Sequence, residues 1–88
     1  MSDKYKKIRE ILEGYNYPMV YPFKFIFLED QDKLVQIKNV FDETAEFSVK
    51  ASKEGKYTAI TIKQMMLNAE DIISKYEQME KIKGVITL

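Results

Sequence analysis

The stretch from Phe47 to Ile62 most constrains what this chain can fold into. It holds two runs, Phe47-Ser48-Val49-Lys50-Ala51-Ser52 and Tyr57-Thr58-Ala59-Ile60-Thr61-Ile62. Both alternate at period two, as a half-buried strand requires. Phe47, Val49 and Ala51 then share a face opposite Ser48, Lys50 and Ser52. Ile60 and Ile62 share a face opposite Tyr57, Ala59 and Thr61. The connection Lys53-Glu54-Gly55-Lys56 is polar and carries one glycine, the residue that takes a positive φ without a steric penalty. The reading is a β-hairpin closed at Gly55.

The flanks supply a strand and a helix before the hairpin and a helix and a strand after it. Tyr21 to Leu28 alternates Phe23, Phe25 and Phe27 against Lys24, and aromatic residues favour strands. Ile26 and Leu28 make its second face apolar as well, which suits a central strand. Pro22 fits the first residue of a strand, where no ladder donor is needed. Glu29-Asp30-Gln31-Asp32 is an acidic entry to a helix, with Asp30 as its N-cap. Leu34, Ile37, Val40 and Phe41 then recur at helical spacing. After the hairpin, Asn68 caps a second helix with the apolar stripe Ala69, Ile72, Ile73, Tyr76 and Met79. Gly84 stands where a left-handed cap would end that helix, and Val85-Ile86-Thr87-Leu88 reads as a last short strand. Ahead of all this, Asp3 to Tyr15 places Tyr5, Ile8, Leu12 and Tyr15 on one helical face, with Lys4, Lys6, Lys7, Arg9, Glu10 and Glu13 on the other. Gly14 and Asn16-Tyr17-Pro18 end it.

The expected fold is therefore α+β, a ferredoxin-like βαββαβ two-layer sandwich. It has a four-stranded antiparallel sheet, two helices on one face and an extra N-terminal helix. Residues 1–16 form the N-terminal amphipathic helix and residues 17–88 the ferredoxin-like domain. The first and third strands should be central. The helix-free face of the sheet should then show Lys24, Ile26, Ser48, Lys50, Ala59 and Thr61, with Tyr57 at its margin. Two uses of that face are open: an interaction surface, or the seat of the N-terminal helix. The second is the expectation, because so short a helix needs somewhere to bury its stripe. A partner could then displace the helix, or the helix could swap between two copies.

Three stretches carry a family resemblance: Tyr21-Pro22-Phe23-Lys24-Phe25, the hairpin Ser52-Lys53-Glu54-Gly55-Lys56-Tyr57-Thr58-Ala59-Ile60-Thr61, and the ending Gly84-Val85-Ile86-Thr87-Leu88. Together they resemble the YbeD-like family of small bacterial proteins of unknown function, over about Tyr17 to Leu88. That family more often has further serines where this chain has Lys53 and Ala59. The resemblance implies a ferredoxin-like fold similar to the ACT regulatory domains, and it implies no catalytic residues.

The residue inventory narrows function further. With no cysteine and no histidine in 88 residues, thiolate chemistry and the usual neutral-pH base are absent. A phosphate site on such a fold would want an arginine and a backbone cradle after the first strand. The chain offers an acidic loop there, and its one arginine is Arg9 in the terminal helix. The acidic pairs Glu29/Asp30 and Glu70/Asp71 suit helix starts rather than a metal. No catalytic, cofactor-binding or metal-binding residues are expected, and no enzyme. Formal net charge is zero, so nucleic acid is disfavoured. Lys24, Lys50, Lys56 and Lys63 make a modest basic patch, but past Tyr57 the same face continues with Ala59 and Thr61 rather than stacking aromatics. An ACT-like effector site would use a glycine in the turn after the first strand, and this turn has none. Methionines, Met65 and Met66 among them, read as core filler. Without a signal-like or membrane-spanning apolar run, a cytoplasmic protein is expected, with no membrane contact. The reading is a non-catalytic regulatory or adaptor module acting on a protein partner, with homodimerisation as a further option. The alternatives are weak nucleic-acid binding and ACT-like small-molecule sensing.

Overall fold

The structure is a computed structural model that describes residues 4–28, 30–52 and 54–88. The expected helix start at Asp3, the loop acid Glu29 and the turn residue Lys53 lie outside the described residues. The elements run α1 (Lys6–Glu13), β1 (Met19–Leu28), α2 (Gln31–Val40), β2 (Glu46–Ala51), β3 (Tyr57–Met66), α3 (Ala69–Glu80) and β4 (Val85–Thr87). The architecture is α+β, with one antiparallel sheet in the order β2-β3-β1-β4. The two longest strands, β1 and β3, are its centre.

Local chemistry explains each boundary. The Asp30 side chain accepts hydrogen bonds from the backbone N–H groups of Asp32 and Lys33, which starts α2. The Asn68 side chain accepts from the Asp71 N–H, which starts α3. In the hairpin Gly55 has φ +72°, the left-handed conformation that the sequence predicts for it. The Ser52 hydroxyl accepts from the Tyr57 N–H at 3.0 Å and closes the loop. Gly84 also has a positive φ, but α3 ends earlier: its C-cap is Lys81, in the right-handed region. The expected glycine cap is thus a turn glycine leading into β4. Two strands are longer than their sequence signal. β1 begins at Met19, so Pro22 is internal to it; β4 pairs only with Phe25 to Phe27, leaving this half of β1 as a sheet edge, where proline is tolerated. β3 continues to Met66 along the first half of β1.

One face of the sheet holds the core. Phe23, Phe25 and Phe27 alternate into it from β1, and Ile60, Ile62 and Met66 from β3. Ile37 and Phe41 from the α2 side, and Ile72, Ile73, Tyr76 and Met79 from α3, close over them. The Phe23 ring meets those of Phe41 at 5.1 Å and Tyr76 at 5.4 Å, edge to face. Met66 is in this core, whereas Met65, on the other face, is half-exposed. Val49 and Ala51 point to the core side but stay exposed, because β2 is an edge strand.

The N-terminal helix does not sit on the open face. α1 packs beside α3 in the helical layer. Leu12 is buried in the same core, with Tyr5 and Ile8 packed against it, while Tyr15 is exposed. Polar contacts fix that position. Arg9 Nε donates to Glu70 Oε1 and Lys4 pairs with Glu80, both partners being on α3. The Tyr17 hydroxyl donates to the Leu12 carbonyl at 2.7 Å. Tyr5, Ile8 and Leu12, spaced over two turns of one helical face, supply the apolar contacts. Of the charges that flank the stripe, Arg9 and Lys4 find acidic partners on α3.

Candidate interaction surface

Among the described residues three helices stand on one side of the sheet and none on the other. Strand pairing fixes what it presents. Ile26 lies opposite Ala59, and Ala59 opposite Lys50, forming one row across β1, β3 and β2. Lys24, Thr61 and Ser48 form the next row. Leu28 pairs with Tyr57 at one end, and Ile86 flanks Ile26 from β4. The structure therefore brings Lys24, Ile26, Ser48, Lys50, Tyr57, Ala59 and Thr61 onto one surface. Sequence reasoning put Leu28 on this second face but missed Val20, Met65 and Ile86 there; all four are about half exposed. The extension of β1 and β3 that carries Val20 and Met65 is what hid them.

The face is shallowly concave at its hairpin end. A hollow of about 230 Å³ is lined by Ile26, Lys50, Ala51, Ser52, Tyr57 and Ala59. Its floor is apolar, since Ala59 contributes only a methyl group between the larger Ile26 and Tyr57. The Lys56 ammonium lies 5.7 Å from the Tyr57 ring centroid, a cation–π distance that brings a further positive charge to the rim. Lys24, Lys50 and Lys63 are exposed on this side, with Glu46 opposite Lys63 as the nearby acid.

Two other concavities use their polar groups internally. A cleft of about 350 Å³ beside α1 is lined by Tyr5, Tyr21, Tyr76 and Glu80 among others. The Tyr21 and Tyr76 hydroxyls are hydrogen-bonded at 2.8 Å. Burial, reinforced by that bond, pushes the Tyr76 hydroxyl far above its ordinary value. Burial and the neighbouring Glu80 push Tyr5 up to about 12. Both phenols stay protonated at neutral pH. Hydrogen bonds from Lys4 and Tyr5 hold the Glu80 carboxyl below its usual range. A second groove, beside Asp42 and Lys75, is equally committed. Lys75 Nζ donates to the Val40 carbonyl at 2.7 Å and lies 5.4 Å from the Phe41 ring, so it caps α2. Asp42 takes a hydrogen bond from Gln64 Nε2 at 3.1 Å, and bonds from Thr44 lower its pKa. Among the described residues no group of three or more acidic side chains is placed to hold a metal ion.

Comparison with known proteins yields one finding. No curated protein and no solved structure matched the chain. A family model does match, over residues 13–88, from the last residue of α1 through the whole sheet and both crossover helices. The chain thus belongs to the family described as "Protein of unknown function (DUF493)".

Proposed function

We propose that the protein is a non-catalytic regulatory or adaptor module that works through protein–protein contacts on the open sheet face. The observation that carries this reading is the face itself. It is broad, uncovered by any helix among the described residues, and exposes Leu28 and Ile86 beside the half-buried pair Ile26 and Ala59, with Val20 and Met65 as a second apolar pair farther along, beyond Lys24 and Lys63. Exposed apolar surface bordered by polar and charged side chains, as around Ile26, Leu28 and Ile86, is a mark of interaction sites. The polar groups elsewhere support it: tyrosines, Asp42 and Lys75 are engaged in bonds that hold the fold together. A ferredoxin-like reading of the fold, YbeD-like and akin to the ACT domains, fits the β2-β3-β1-β4 order with α2 and α3 on one side. Among the described residues no helix is long and apolar enough to cross a membrane, and we place the module in the cytoplasm.

A site-specific photocrosslinking side chain tests this in the protein's own cells. Placed at Ala59, it should give one discrete protein adduct; placed at exposed Glu77 on α3, it should give none. Equal yields from both positions, or no adduct from Ala59, would overturn the reading.

A further inference from the structure

Resting on that reading, we propose that the open face binds an acidic, extended segment of another protein and seats one of its apolar side chains in the hollow between Ile26, Tyr57 and Ala59. Charge is the first argument. The chain is neutral overall, yet Lys24, Lys50 and Lys63 stand on this face with Glu46 as their acidic neighbour. Among the described residues none of these three lysines is in an ion pair, whereas the bridges of Arg9 and Lys4 lie in the helical layer. An acidic partner would supply the missing charge.

Spacing is the second argument. Lys24 stands two residues from Ile26 along β1, about 7 Å at the rise of a strand. Lys50 stands two strands away from Ile26 in the same row, about 9–10 Å across the sheet. An extended peptide repeats its side chains at the same two-residue spacing. Lys24 on β1 and Lys50 on β2 flank Ala59 on the central β3, so a peptide laid obliquely over Ala59 with an apolar residue in the hollow turns carboxylates at its second neighbours toward these two lysines. The hollow, at about 230 Å³, has room for one branched apolar side chain.

The other occupants fit less well. A second copy docked face to face would set one lysine-bearing face against another and bring only Glu46 as acidic complement. Single-stranded nucleic acid would want successive aromatic platforms; here Tyr57 is followed on its face by Ala59 and Thr61.

The test is a titration of the isotopically labelled full chain with synthetic probes, followed by amide chemical shifts. The probe Ser-Glu-Ser-Leu-Ser-Glu-Ser should shift Ile26, Lys50, Tyr57 and Ala59 and leave α3 unchanged. Its affinity should fall as salt rises. Lys50→Glu, at an exposed position, should keep the wild-type spectrum and weaken binding about five- to tenfold. Replacing the probe's leucine by glycine should abolish binding, and replacing its glutamates by lysines should do the same. If the lysine probe binds this face as well, the acidic preference is wrong while the protein-contact reading survives. If no peptide shifts the face, the proposal fails, and crosslinking at Ala59 decides the broader reading separately. Stronger binding of oligouridine at the same residues, or a wild-type dimer by sedimentation with this face protected, would also overturn it.

Discussion

Phe25 and Ile26 are consecutive residues of one strand with opposite fates. Phe25 points into the core and has 0% of its surface exposed. Ile26 points to the open face, where a row of half-exposed side chains surrounds it. The two faces are similar in greasiness along β1 itself, and they differ in what covers them. One is sealed by α2, α3 and α1; the other has a lysine rim and, among the described residues, no helix over it. The difference teaches that apolar character along a strand does not by itself mark the core. The covering layer does, and an apolar face left uncovered is the place to look for a partner.

Mutations at the two neighbours should separate most. Phe25→Ala empties a packed site and should cost about 3–5 kcal/mol in denaturant unfolding, a large share of a small domain's stability. Ile26→Ala should cost about 1 kcal/mol or less. Equal losses would mean that the open face is covered after all. A second test addresses the cover. Leu12 is 1% exposed although it belongs to the terminal helix, so Leu12→Ala should lose about 2–5 kcal/mol. A neutral result would remove α1 from the sealing layer.

The hairpin turn fixes which residues face which way, because a one-residue slip would exchange the faces of β2. Gly55 has φ +72° with no atom near a would-be Cβ, so the cost of a side chain there is purely conformational. Gly55→Val should destabilise by about 1–2 kcal/mol and Gly55→Asn by less. The ordering of the two midpoints checks the turn.

The smallest effect concerns the attachment of α1. Hydrogen bonds from Arg9 and from Lys4 hold the Glu70 and Glu80 carboxyls below their ordinary 4.5. Their folded-state values are depressed, so their contribution is present above the ordinary carboxylate range. It fades as pH falls through the lowered values. Amide exchange of α1 should therefore accelerate, relative to β1 and β3, as pH drops below the ordinary carboxylate range and through the lowered values, after correction for intrinsic rates. Both carboxylates are exposed, so the gain in exchange should be modest. Protection that is flat across this range would mean that apolar contacts alone hold α1.

Much of the fold is legible in the residues. The strand alternation, the caps Asp30 and Asn68, the positive φ at Gly55 and the central places of β1 and β3 follow from local rules. So does the grouping of Lys24, Ile26, Ser48, Lys50, Tyr57, Ala59 and Thr61 on one side, since period two leaves no other arrangement. The far half of β3 is less legible. Gln64 occupies a buried position, 7% exposed, where alternation would want an apolar side chain. Its amide is satisfied by Asp42, a partner 22 residues away, and only the folded chain reveals that pairing. The same extension carries Met65 outward and Met66 inward, which a rule that treats methionines as filler does not separate.

The sequence by itself determined which segments are strands and helices and which side chains share a face, because backbone sterics and hydrophobic periodicity act over a few residues. Only the tertiary structure decided where α1 goes. Its stripe of Tyr5, Ile8 and Leu12 suits any apolar surface of the right width, so the open sheet face and the flank of α3 were both compatible with it. The choice rests on long-range pairs, Arg9 with Glu70 and Lys4 with Glu80, together with the burial of Leu12 in the core. Such terms depend on distances between residues far apart in the chain. That choice left the opposite face of the sheet bare.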